Sequence, residues 1–315
     1  MKNPFFRILI ICLMVSLTAC GAPKSEPQVI KIAVLPVLDT LPIYIAESQG
    51  YFTEAGITVE LIPVNSAPER DQLMQTGQID GMLNELTSTI LYNRDEIQVQ
   101  VVRYARSATQ DFPVFRILSA PDSGLLTVDD LKNVPIAISD GTIIEYTTDR
   151  LLEQAGFTDD EIASISVPKI PDRMALLMGG EIKAANLPDP VASLAIKNGA
   201  NLVIDDTALP GVSFSVYTFS KEALNEKPDA VKAFLAAVEK AVVDINADKT
   251  RWRDVLVEKQ LIPEPILDTY ILADYPTAGV PNEDQFIDAL DWLTEKGLIE
   301  QPSNYEDHIT ASFLP

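Results

Sequence analysis

Cysteine, histidine and positive charge are what this chain has least of. Its 315 residues include two cysteines and one histidine, and 24 lysines and arginines stand against 46 aspartates and glutamates. Cys12 lies inside an N-terminal apolar run, so removal of that run leaves Cys20 alone. A single cysteine forms no intramolecular disulfide, and neither it nor His308 has the spaced companions that a metal site or a thiol- or histidine-based catalytic set requires. The formal charge of −22 argues against nucleic acid and anionic lipid surfaces as partners, because those are held by clusters of lysine and arginine. No glycine-rich phosphate loop and no Ser/His/Asp arrangement is evident, and nothing points to a cofactor or a metal. Beyond the N-terminus no apolar run is long enough to span a membrane.

What is there begins with an address. Lys2 and Arg7 accompany the apolar run Ile8–Leu17, which ends in Leu17-Thr18-Ala19-Cys20 with Gly21 after it. Residues 1–19 read as a secretory signal, and the LTAC-G motif resembles the lipobox of bacterial lipoproteins, with Cys20 as the lipidated residue. An ordinary cleaved signal or an N-terminal anchor helix is the alternative. Loss of Lys2 and Arg7 takes the formal charge from −22 to −24. Residues 20–28, polar and proline-bearing, form a lipid-anchored tether.

After the tether the chain alternates. Val29–Leu35 is β-branched and apolar and stops at Pro36; "LPIYIAESQG" suits a helix with Pro42 in its first turn and Gly50 at its end; "ITVELIPV" places Ile57, Val59 and Leu61 on one face of a strand. The unit repeats through "APERDQLMQTG", "IDGML", "ELTSTILYN" and "IQVQVVRY", then restarts after "FPVFRILS" with "VPIAIS" and the segments that follow. Strand–helix alternation of this kind predicts α/β lobes with mostly parallel sheets covered by helices on both faces. The restart places lobe 1 at residues 29–118 and 214–315, with a helical C-terminal region, and lobe 2 at 119–213, with hinges near Leu118-Ser119 and Ser213–Tyr217. Pro228–Asn246 carries Val231, Phe234, Leu235, Val238, Val242 and Ile245 at helical spacing, which is a core stripe.

Ligands of open α/β sheets gather at the carboxyl ends of strands. The loops there hold Asp39-Thr40, Asn84-Glu85, Arg106, Asp140-Gly141-Thr142 and Asp189. "LPIYIAESQGYFTEAGITVELIPV", "QLMQTGQIDGML", "LKNVPIAISDGTIIEYTTDRLLEQAG" and "LPDPVASLA", in this order, resemble the solute-binding proteins of ABC importers in the nitrate, sulfonate and thiamine-precursor class. The resemblance covers almost the whole chain after the signal. It implies a two-lobed periplasmic-binding-protein type II fold with ligand in the cleft, ABC permease subunits and a cytoplasmic ATPase as partners, and a monomer at the extracytoplasmic side of a bacterial membrane. Carried onto this sequence, the family's contacts fall near Asp39, Thr40 and Tyr44, at Asn84 and Glu85, at the glycine-plus-hydroxyl turn Gly141-Thr142, and at the acid-proline pair Asp189-Pro190. Pro188 stands where the family has an aromatic residue, which weakens the case for a stacking platform.

Arg106, Asp140, Glu145 and Tyr217 complete the candidate set, each with a plainer reading beside it. Asp140 and Thr142 suit helix capping, Glu145 suits the positive end of a helix dipole, and Tyr44 and Tyr217 suit the core or a hinge. Because Asp39, Glu85, Asp140, Glu145 and Asp189 outnumber Arg106, the inventory favours a neutral or cationic nitrogen-bearing solute such as a thiamine-precursor pyrimidine or a flavin-like ring. A small anion such as a sulfonate or nitrate is the alternative. An enzyme on the same fold, like a pyrimidine synthase or a menaquinone-pathway enzyme, is a further one, as is a sensor module. If Cys20 carries the anchor, Cys20→Ser abolishes diacylglycerol labelling and leaves the chain released or unprocessed; labelling unchanged in that variant contradicts the assignment.

Overall fold

The computed structural model describes residues 28–315; the signal, Cys20 and the tether up to residue 27 lie outside the described residues. Ten strands build two sheets. The first contains β1 (Gln28–Val34), β2 (Ile57–Pro63), β3 (Gly81–Asn84), β4 (Val99–Ser107) and β10 (Phe214–Ser220) in the order β2-β1-β3-β10-β4. The second contains β5 (Phe115–Ser119), β6 (Pro135–Ile138), β7 (Ala163–Ser166), β8 (Ala184–Pro188) and β9 (Asn201–Asp205) in the order β7-β6-β8-β5-β9. The two orders are the same pattern. In each sheet the strands of the local βαβ units run parallel, and one strand runs antiparallel to both neighbours: β10 in the first, β5 in the second. That strand is the one with which the chain enters the lobe from the other side.

Eight helices of seven residues or more cover the sheets: α1 (Leu41–Ser48), α2 (Ala67–Gln75), α3 (Leu86–Tyr92), α4 (Ile143–Gln154), α5 (Ile170–Met178), α6 (Val191–Lys197), α7 (Pro228–Ala247) and α8 (Glu283–Glu295). Their ends follow local chemistry. Ser66 accepts the Glu69 N–H before α2, and the Asn282 and Gln285 side chains cap α8 reciprocally. The α7 stripe is buried at every position that the spacing selects, with Phe234 stacked on Phe52 at 5.5 Å and met edge-on by Tyr217 and Phe219. Gly81 cannot be replaced cheaply, since a Cβ there would sit 2.8 Å from the Phe219 ring.

The lobe boundaries differ from the sequence reading by one strand. Phe115–Ser119 pairs with β8 and β9, so the first crossing is residues 108–114 and not Leu118-Ser119; the second is 206–213, because Phe214 already pairs with β4. An alternating apolar strand looks the same whichever sheet receives it, which is why periodicity placed this one in the wrong lobe. The crossings lie side by side, joined by Ala108 N–H to the Ser213 carbonyl at 2.8 Å.

Asp206 ties them together. Its carboxylate is fully buried and accepts the backbone N–H groups of Val114 at 3.0 Å and Phe115 at 2.8 Å. Burial pushes its acid up to about 6 although those N–H groups oppose the shift. The folded chain therefore binds this proton more tightly than the unfolded chain, so the group's contribution to stability is fully present below about pH 4 and is lost as pH rises through about 6. Asp206→Asn keeps an acceptor and should flatten that part of a urea-unfolding pH profile. Asp206→Ala strands the two N–H groups and should lower stability by about 2–4 kcal/mol; an alanine variant as stable as the parent excludes the clasp.

Candidate functional site

The loops after β1, β3, β6 and β8 converge on one cavity between the lobes, as the strand-end rule requires. Lobe 1 contributes Leu35, Val37 and Asp39 after β1, Ser66 and Arg70 at the start of α2, Leu83, Asn84 and Glu85 at the end of β3, and Ser215. The other side consists of Val114 and Phe115, Ser139, Thr142, Ile143 and Ile144 around the start of α4, Pro168, Ile170 and Arg173 around the start of α5, and Pro188. The cavity volume is ≈ 90 Å³, well below the several hundred Å³ common for ligand pockets.

The turn into α4 is assembled by its own residues. Gly141 takes the left-handed conformation (φ +67°), Thr142 caps the helix by accepting the Ile144 N–H at 3.2 Å, and the Glu145 carboxylate takes the Gly141 N–H at 2.7 Å. Asn186 on β8 donates to the Ile144 carbonyl and the Thr148 hydroxyl, fixing the helix against the sheet. Thr142 reaches the cavity; Asp140 is exposed and does not line it. Glu145 faces away, 2.8 Å from Lys296 beyond the end of α8. That contact belongs to a seam where α8 of lobe 1 meets α4 of lobe 2, with the Trp292 indole donating to Asp149 at 2.9 Å and Arg150 3.2 Å from Asp288.

The acids in and beside the cleft are matched by cations of the same chain. Asp39 lies 3.6 Å from Arg106 and accepts the Ser215 hydroxyl. Glu85 is 3.0 Å from Arg70, itself 1% exposed and also bonded to the Leu83 carbonyl and Asp71. Asp189 is 3.5 Å from Arg116, accepts Ser193 N–H and Oγ–H, and receives the Tyr270 phenol at 2.5 Å, while Arg106 donates to its carbonyl at 3.1 Å. Burial holds the Tyr270 phenol above its ordinary range, so it remains a donor. Asp189, Arg106 and Tyr270 border a second groove, whose Lys197 is taken by the Pro265 carbonyl; they do not border the cavity.

Of the residues expected from sequence, the cavity therefore brings together Asp39, Asn84, Glu85 and Thr142, with Gly141 shaping the turn. Thr40 is buried with its hydroxyl on the Val37 carbonyl, Tyr44 packs on the lobe 1 core beside Lys259, and Tyr217 is core. Among the charged residues of the cavity two were missed, Arg70 and Arg173. Both sit on the buried stripes of their helices, Arg70 with Met74 and Arg173 with Leu177, and an ion on a stripe of this kind was the available signal. Among the described residues no His/Cys/Asp/Glu group suited to a metal occurs, and no helix is long and apolar enough to cross a membrane. His308 is buried against Phe286, bonded to Asn93 and Ser303, and does not line the cavity.

The profile of the NMT1/THI5-like family matches residues 38–250, and the chain belongs to that family. A Brachyspira hyodysenteriae protein named as an ABC transporter periplasmic binding protein is 24% identical over 76% of this chain and 73% of its own length. The Saccharomyces cerevisiae 4-amino-5-hydroxymethyl-2-methylpyrimidine phosphate synthase THI11 is 23% identical over 69% of this chain and 66% of its own. In structure the chain is similar to the alkanesulfonate-binding protein SsuA of Xanthomonas axonopodis pv. citri bound to MOPS, with a TM-score of 0.75, 18% identity, and coverage of 91% and 99%. The fold is thus that of the periplasmic binding proteins, with two lobes and an α/β sheet in each.

The Tyr270–Asp189 bond joins the C-terminal part of lobe 1 to lobe 2. Tyr270→Phe removes one hydrogen bond to a charged group, worth about 1.5–3 kcal/mol. It should shift the lobes towards an open arrangement, seen as a larger radius of gyration in solution scattering; an unchanged curve denies the contact a role in closure.

Proposed function

We propose that this protein is the solute-binding lipoprotein of an ABC importer. Anchored through Cys20 on the extracytoplasmic side of a bacterial membrane, and working as a monomer, it captures a small organic solute between its lobes. It then delivers the solute to permease subunits driven by a cytoplasmic ATPase. The observation that carries this reading is the cleft: strand-end loops of two lobes converge on one cavity, and the lobes are linked by two short crossings that lie side by side. Such a pair of crossings is a hinge, and closure about it encloses a ligand. The name of the Brachyspira relative supports the importer role.

The wall suits a flat, nitrogen-bearing ring of the pyrimidine or flavin type. Leu35, Val37, Phe115, Ile143 and Ile144 supply apolar faces, and Asn84, Ser139 and Thr142 supply edges that hydrogen-bond. The pyrimidine in the yeast relative's name agrees with this. A cationic amine loses its support, because Asp39 and Glu85 already have Arg106 and Arg70 as counter-charges.

Binding without turnover follows from the same lining. The cavity presents no histidine or cysteine, and its two carboxylates are held in ion pairs with Arg106 and Arg70. Native mass spectrometry of the protein drawn from its host membrane should show one solute per chain, released unaltered after prolonged incubation with excess solute. A product formed over multiple turnovers would make it an enzyme on this fold, as the yeast relative's name describes.

A further inference from the structure

One charge lining the cleft has no counter-charge. Arg173 on α5 is 0% exposed. Its Nη1 donates to the Val167 carbonyl at 2.7 Å, and its Nε and Nη2 have no acceptor. It makes none of the ion pairs that every other buried arginine of the cleft region makes: Arg70 has Glu85 and Asp71, and Arg106 has Asp39. Burial alone pushes its guanidinium down to about 10, so at neutral pH it is still a cation. Removing an ion from water without a counter-charge costs several kcal/mol, and a fold that retains such an ion calls for an explanation.

The geometry of the missing bonds supplies one. Nε–H and Nη2–H point along the same edge of the guanidinium, and this edge is the fork that takes the two oxygens of a carboxylate, sulfonate or phosphate. Arg173 lines the same cavity as Ser139, whose buried hydroxyl is also unpartnered, and as Thr142 and Ile143 at the first turn of α4. The Ile144 and Glu145 N–H groups of that turn are taken by the Thr142 hydroxyl and carbonyl, so the unpartnered donors on this wall are the Arg173 Nε–H and Nη2–H and the Ser139 hydroxyl. We propose that the solute carries an acidic oxyanion group, and that Arg173 is the residue that binds it through Nε–H and Nη2–H, with the Ser139 hydroxyl as a further donor. The inference rests on the solute-binding reading above and narrows it: the apolar body of the solute lies against the walls, and its acid lies on α5.

Arg173→Met and Arg173→Lys in the mature chain test this with sulfate, methanesulfonate and benzoate as probes, and with benzamide as the neutral control, all at constant ionic strength. The parent should show a saturable rise in melting temperature with at least one anion and none with benzamide. Arg173→Met should lose that response, with affinity down at least about tenfold, and Arg173→Lys should keep the charge but recover only part of the affinity, since it lacks the fork. Without any probe, Arg173→Met should melt no lower than the parent, because it removes an uncompensated buried ion. A parent that responds to none of the anions, or an Arg173→Met that responds as the parent does, overturns the proposal. So does an Arg173→Met that melts well below the parent without probe, since the guanidinium is then a structural part. If Arg173→Met still copurifies with one solute per chain while its anion response equals the parent's, solute binding stands and only the anionic class fails.

Discussion

A charge taken out of water must find its opposite, and this constraint arranges the middle of the molecule. Carboxylates and guanidiniums are buried where the lobes meet, and nearly all are paired: Glu85 with Arg70 within lobe 1, Asp39 with Arg106, Asp189 with Arg116 and with donors from the opposite lobe. On the far seam Lys296 meets Glu145 and Asp149. These pairs add little net stability, because desolvation offsets most of their attraction. What they do is specify which surfaces meet and leave the cleft with its own acids already neutralised. Among the guanidiniums of the cleft Arg173 is the exception, and the proposed ligand class rests on that exception.

Capture then needs few parts. The antiparallel strand in each sheet brings the chain in from the other lobe, so both crossings fall next to one another and a rotation about them moves the lobes as bodies. Closing the cleft excludes water, and in the drier cavity the fork of Arg173 interacts more strongly with an anion than it would on a surface. Tyr270 of lobe 1 donates to Asp189 of lobe 2, so in the proposed capture lobe contact and ligand contact would reinforce each other.

Most of the fold was legible in the sequence. Alternating β-branched strands and amphipathic helices placed α7 almost to the residue, and a strand's two-residue period was enough to find β2. Periodicity could not say which sheet receives β5, because its partners lie from 65 (Ser119 to Ala184) to 89 (Arg116 to Asp205) positions away and such pairing leaves no local trace. The site was half legible. Strand-end loops located Asp39, Asn84, Glu85 and Thr142 on the cavity wall, yet counting charges loop by loop left out Arg70 and Arg173, which line it as well. Glu85 and Arg70 are fifteen positions apart in the chain and 3.0 Å apart in space. Arg70 and Arg173 sit in helices, outside the loops where sites are usually sought, and an arginine on an apolar helical stripe was the overlooked mark of each.

The central claim concerns the free edge of a single guanidinium, which nitrogen-15 NMR observes directly. With the Arg173 Nε–H resonance assigned by its loss in Arg173→Lys, its exchange with solvent is measured before and after saturation with the solute released from the native protein. The account predicts that saturation slows the exchange by about tenfold or more and moves the resonance, as a new charge-assisted hydrogen bond requires. An Arg173 Nε–H whose shift and exchange rate are unchanged in the saturated protein would contradict it.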